Sequence, residues 1–321
     1  MSVILNKTRG LSQFSGHIAL FGASAMWGLL SPVAKLLLSA GVFTPLAVND
    51  LRLLGAMLLF WIASLFSPRE KVPFSDLLRL FLASQLVIVI NQGCFLWGLS
   101  MSSPVDASII STAVPLLALI LGVIFFNEVL TGRKILGIAF GAGGAVLLIL
   151  GGHSQSPLVD GDNHALMGNL LVVLAETGYA SYLVFYKDFL KKYSLVTIMK
   201  WMFTFGFITL LFFSWKDLLQ THWSNLNWKL WLELGYLIVF GTFVSYMLLV
   251  VGQKRVEPVV AGVYNYFQPL VAALVAVAWG LDSFNGIKVA AVGLVFAGVY
   301  LVSSSGVLET LAEKRSRVPV R

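Results

Sequence analysis

Ten runs of about twenty apolar residues, the length that crosses a bilayer as a helix, are separated along this chain by short polar segments. They cover residues 17–39, 45–66, 77–99, 104–126, 133–150, 165–185, 195–215, 230–251, 258–279 and 286–302. The longest weakly apolar connector follows the fifth run. A second long gap, after the seventh run, is bracketed by Trp215, Trp223 and Trp228, the aromatic type that settles at a membrane–water boundary. The pattern predicts helices throughout and no strand.

The pattern also repeats. Pro104, Val105, Ala107, Pro115, Leu116, Ala118, Val123, Gly132, Lys134, Gly144 and Leu147 recur, without a gap, 154 positions later. Their copies are Pro258, Val259, Ala261, Pro269, Leu270, Ala272, Val277, Gly286, Lys288, Gly298 and Leu301. Apolar composition alone does not place prolines and glycines in one register. The expected fold is therefore an all-α integral membrane protein of ten transmembrane helices, built as two five-helix repeats. The first repeat spans residues 1–151, an extracytoplasmic connector 152–164, and the second repeat 165–321 with a short basic tail. An odd number of crossings in each half requires the halves to be inverted. Two related halves with a solute between them is the usual plan of a secondary transporter.

Composition agrees. The chain has 321 residues, 58% of them hydrophobic and 12% charged, against about 25% charged in soluble domains. The net charge of +7 suggests no nucleic acid, because the basic residues lie between apolar runs and report topology. With a cytoplasmic amino terminus, 16 of the 22 Lys and Arg fall in inside segments and 3 outside, the others lying in or beside spans. Both termini are expected in the cytoplasm. Cys94 is the single cysteine and reads as a packing residue. No removable signal peptide is expected. His17, His153, His164 and His222 form no ligand-spaced pair, so no metal is expected. Nor is there a phosphate-binding glycine loop, and no cofactor is expected.

Polar side chains at membrane depth are costly and mark cavities or interhelical pairs. Glu176, midway along the sixth run, is the sharpest candidate, either for carrying a proton or for meeting a substrate ammonium. Asn91 and Gln92 in the third run match Ser245 and Tyr246 of the eighth in the repeat register. Tyr264, Asn265 and Gln268 lie in the turn or so leading up to Pro269, as Ser111 lies in the turn before Pro115. Paired helix breaks in matching places point to a transport site. Asp50 and Arg52 are two apart and do not share a helical face, which favours separate structural pairings. Lys35 and Lys187 read as anchors whose stems reach the headgroups. Gly137, Gly141, Gly144, Gly293 and Gly298 offer small-residue packing faces within the bundle.

In the first run Trp27-Gly28 is followed by Pro32 and Lys35; in the sixth, Tyr179-Ala180-Ser181-Tyr182 is followed by Lys187. Asn127-Glu128 leads to Gly132 and Gly137, and Asp282 leads to Gly286. Together these spacings resemble the drug/metabolite transporter superfamily, in particular its EamA-type exporters, over nearly the whole chain. Tyr179 stands where that pattern more often has Trp. The resemblance implies export of small organic metabolites, with amino acids the leading class, from a cavity lined by helices one, three, four, six, eight and nine. Trp27, Tyr179 and Tyr182 join the candidate substrate-lining residues on that basis, with Tyr246. The expected partners are a small-molecule substrate and the lipid of a cytoplasmic (inner) membrane, with the protein a monomer or homodimer. An exchanger of phosphate- or nucleotide-sugars would need cationic clamps, and mid-span cations are nearly absent apart from Lys200. A membrane-embedded lipid-modifying enzyme would need a His, Asp or Glu cluster at one interface, and none stands out.

Overall fold

Residues 2–127, 130–151, 162–221, 223–256, 264, 267–283 and 285–316 are described in the computed structural model, and among them there is no strand. Helix starts follow local chemistry. Thr44 caps α2 (Pro45–Leu65) by accepting from the Ala47 N–H at 3.1 Å, with Pro45 in the first turn, where a missing N–H costs nothing. Ser103 with Pro104 does the same for α5 (Pro104–Ser111). Ser194 caps α9 (Leu195–Gln220), and Asn227 caps α10 (Trp228–Ile238). The first helix, α1, runs Ser2–Ser39 and α8 runs Asp162–Phe185, so α8 begins inside the stretch 152–164 expected as a connector. Residues 152–161 lie outside the described set.

Two spans are continuous helices that pass through a π-helical turn. One joins α3 (Phe74–Ser84), a π segment at Gln85–Gln92 and α4 (Gly93–Met101). The other joins α10, a π segment at Val239–Val244 and α11 (Ser245–Gln253). The span containing Pro115 is broken: α5 ends at Ser111 and α6 (Val114–Phe126) starts after a tight turn, because proline removes one ladder hydrogen bond and crowds the preceding turn. The remaining helices are α7 (Gly132–Gly151), α12 (Phe267–Ala278) and α13 (Gly286–Ser316). Phe74 and Trp228, Gln85 and Val239, and Gly132 and Gly286 open matching elements and stand 154 positions apart. Seven helices among the described residues are long and apolar enough to cross a membrane. Phe267–Ala278 and Gly286–Val302 are shorter apolar helices.

Packing sets these helices in place. The α2 and α9 faces meet through Phe60 and Phe203, stacked at 5.5 Å, with Leu53, Ala56, Met202 and Leu210 around them. The α7–α13 contact is closer: a Cβ at Gly298 would stand 2.5 Å from the Gly137 carbonyl oxygen and 2.6 Å from the Gly141 nitrogen. Small residues therefore pack the bundle internally, as anticipated for Gly137, Gly141, Gly144 and Gly298, while Gly293 faces open space. Large apolar residues such as Leu65, Phe66, Phe74, Phe212, Leu219 and Tyr300 are exposed. An apolar surface this extensive suits lipid. The molecule is a multi-pass helical membrane protein.

Lys35 corrects an expectation. It is buried, 1% exposed, and does not extend to the membrane surface. Its ammonium donates to the carbonyls of Leu99 at 3.0 Å, Ser100 at 3.0 Å and Ser102 at 2.8 Å. Those acceptors close the C-terminal end of α4, where helix carbonyls lack partners and carry partial negative charge. Near it, fully buried Lys288 bonds both oxygens of Asp282, at 2.7 and 2.8 Å, and approaches Asp106 Oδ1 at 3.1 Å. This polar knot ties α13 to α5. Lys187, by contrast, is exposed.

Candidate functional site

Halfway along α8, Glu176 is 6% exposed and accepts a hydrogen bond from Ser111. Ser111 is the last residue of α5, presented by the break ahead of Pro115. The pair therefore joins the two halves of the sequence in the bundle centre. Along the same α8 face follow Tyr179 and Tyr182, with Tyr186 just past the helix end, at spacings of three and four residues that stack on one side of a helix. Their rings form a ladder, with centroids 6.3 Å apart from Tyr179 to Tyr182 and 6.2 Å from Tyr182 to Tyr186. Tyr186 leads to Phe189 at 6.2 Å.

That ladder ends in a cleft of about 380 Å³ lined by Arg79, Leu86, Phe185, Tyr186 and Phe189. A second cleft, of about 390 Å³, lies at the other end of the bundle, between the C-terminal end of α1 and the start of α10. Neither is lined by Glu176 or Ser111. Glu176 is buried, and the tyrosine rings lead from its neighbourhood to the cleft that Tyr186 lines.

Tyr246 on α11 interacts electrostatically with both Glu176 and Arg52 and hydrogen-bonds the Gln92 amide. The Trp27 ring meets Tyr246 edge-on at 5.5 Å, an arrangement aromatic quadrupoles favour. Gln92 is buried and accepts from Arg52 Nη2 at 2.6 Å. Its neighbour Asn91 donates to the Ala175 carbonyl at 2.9 Å, which clamps the π segment onto α8 one residue before Glu176. A π turn offsets the helical ladder by a residue and is common where side chains must be re-aimed. Here it lets adjacent amides serve two directions.

The structure thus gathers Trp27, Gln92, Ser111, Glu176, Tyr179, Tyr182 and Tyr246, with Asn91 bracing them. Tyr264 is placed elsewhere: its hydroxyl pairs with His17 Nδ1 at 2.8 Å and its ring stacks on Phe267 at 5.8 Å. Gln268 is half-buried at the α1–α12 contact, its main-chain oxygen against Gly28. Asn265 lies outside the described residues. Asp50 pairs with Ser214 of α9, the structural role expected of it. Arg52, for which a separate interhelical pairing was expected, reaches this centre through Gln92. Its signal was the spacing from Asn49, three residues earlier on the same face, opposite the Asn91-Gln92 amides.

The centre therefore brings a buried carboxylate, a hydroxyl and amides together from both halves of the sequence. The EamA-like transporter family model matches the chain twice, over residues 14–150 and 166–304. The chain belongs to that family and is a membrane transporter. "Uncharacterized transporter YetK" of Bacillus subtilis (strain 168) is 24% identical over 295 residues, covering 90% of this chain and 87% of the relative. An "Uncharacterized transporter" of Archaeoglobus fulgidus is 28% identical over 279 residues, covering 86% and 94%. "Uncharacterized inner membrane transporter YedA" of Escherichia coli (strain K12) is 24% identical, covering 89% of each chain. A solved crystal structure shares the fold with a TM-score of 0.58 at 18% identity, covering 95% of this chain and 100% of the other.

Proposed function

We propose that the protein is a secondary exporter of small organic metabolites, amino acids foremost, working by alternating access around the Glu176–Ser111 centre. The observation that carries this reading is the bridge itself: a buried carboxylate from one half, held by a hydroxyl at a helix break in the other. Such a contact reports any relative movement of the halves. Ten spans in two inverted five-helix halves, with both termini in the cytoplasm of an inner membrane, complete the picture. It is supported by the double family match, by the helix starts at one fixed offset and by the bias of Lys and Arg. Transport is favoured over catalysis because the curated relatives carry transporter names.

An amphipathic, mostly neutral solute suits a pocket of one carboxylate, one guanidinium, amides and tyrosines. A phosphate-bearing sugar is less well served, since Lys200 lies 4.9 Å over the Trp61 ring and, among the described residues, the centre offers Arg52 alone as a fixed cation. Counterflow of radiolabelled amino acids into proteoliposomes tests the reading. Accumulation of at least one amino acid against unlabelled internal substrate is the expected result, and its absence across the full amino-acid set would end the substrate assignment.

A further inference from the structure

Two of the buried cations of this bundle, Lys35 and Arg52, are treated in opposite ways. Lys35 has an acceptor in each of three carbonyls, as a structural charge should. Arg52, 4% exposed, donates once, from Nη2 to Gln92, and its Nε and Nη1 have no acceptor. Three residues earlier on the same helical face, fully buried Asn49 has neither its amide nitrogen nor its oxygen partnered. Asp50 is turned away, toward Ser214. Glu176 takes its hydrogen bond from Ser111, so carboxylate and guanidinium are not spent on one another. Both interact electrostatically with Tyr246.

A guanidinium kept dry with free N–H groups is matched to an acceptor that arrives from outside. The fork geometry selects a planar anion able to take two parallel hydrogen bonds, and a carboxylate is such a group. One cation balances one negative charge, which disfavours a phosphate monoester with nearly two. We infer that Arg52, positioned by Gln92 and accompanied by Asn49 and Tyr246, is a carboxylate-recognising subsite that selects solutes bearing a carboxylate. The inference rests on the bundle centre being the transport site. For an amino acid, Arg52 then holds the acid end and leaves Glu176 for the ammonium end.

Counterflow with leucine and with leucinamide as competitors, in wild type and in Arg52→Gln, is the first arm. Wild type should favour the acid, and Arg52→Gln should weaken leucine competition by roughly 30-fold or more while competing equally with acid and amide. Leucine counterflow with the same acid-to-amide ratio in both proteins overturns the subsite and leaves the exporter reading standing. The second arm is thermal unfolding in detergent with leucine, leucinamide or the keto-acid analogue of leucine. Stabilisation of wild type but not Arg52→Gln by the keto acid supports the subsite even if leucine is not carried, which sinks only the amino-acid reading. If no carboxylate stabilises wild type more than Arg52→Gln, the subsite falls. The third arm separates binding from architecture: Arg52→Met with Gln92→Leu removes the orphaned donors together with their one acceptor. Its melting temperature without solute should equal or exceed that of wild type, and a fall of several degrees assigns Arg52 to structure instead.

Discussion

At the scale of single residues, a buried charge is best judged by what its hydrogen bonds leave over. Lys35 and Glu176 are both buried mid-bundle groups, and sequence depth alone ranked Glu176 correctly as central but misread Lys35 as a surface anchor. The difference lies in partners that come from other helices, which no local spacing encodes. Lys35→Met should destabilise the protein strongly, because three carbonyls lose their donor and each buried orphan costs about 1–3 kcal/mol. Thermal unfolding in detergent checks this, and a melting temperature unchanged from wild type would remove the capping role. Glu176→Gln should behave differently. The amide keeps the shape and can still accept from Ser111, but it carries no ionisable proton. If Glu176 carries the coupling proton, the variant loses uptake driven by a pH gradient yet retains exchange of solute for solute. Full gradient-driven uptake by Glu176→Gln rules that role out.

Helices and their breaks were mostly visible in the chain, since an apolar run, a capping Ser, Thr or Asn and a following Pro each act locally. The break before Pro115 is one such case. The π turns at Gln85–Gln92 and Val239–Val244 were not visible. Nothing in their residue types demands a slipped ladder, and the slip is settled by how each span packs on its neighbours. Close helix contacts were legible as glycines, though their partners were not. Gly298 is the most demanding: an added Cβ meets backbone atoms of Gly137 and Gly141 at 2.5 and 2.6 Å, and backbone does not swing aside. Gly298→Ala should therefore push α7 from α13 and cost about 1–3 kcal/mol, whereas Gly293→Ala, facing open space, should be neutral or slightly stabilising. Unfolding of the two variants side by side tests the contact, and equal melting temperatures would refute it.

For the whole molecule, three unlike signals converge on one architecture. Recurrence of prolines and glycines is a property of ancestry, matched helix starts are a property of folding, and the placement of Lys and Arg is a property of insertion. None of them depends on the others. The internal offset of 154 positions made the two halves readable from the chain, since matching elements open at that spacing in the structure. The cleft at Arg79 and Phe189 was not readable, since it depends on how the tyrosine face running from α8 to Tyr186 packs against α3. That cleft belongs to the end where α3 begins and α8 finishes, beside Arg69, Lys71, Lys191 and Lys192. Positive charge is retained on the cytoplasmic side, so this cleft should be the cytoplasmic entrance and the Lys288–Asp282–Asp106 knot the external closure. A reporter active only in the cytoplasm, fused after Arg321, should give signal. A cysteine introduced at Phe189, in a chain with Cys94 replaced by Ala, should react with a membrane-impermeant thiol reagent in inside-out vesicles and not in intact cells. Signal only from a periplasm-active reporter, or labelling of position 189 only from outside, would turn the molecule over and make the same cleft an external mouth.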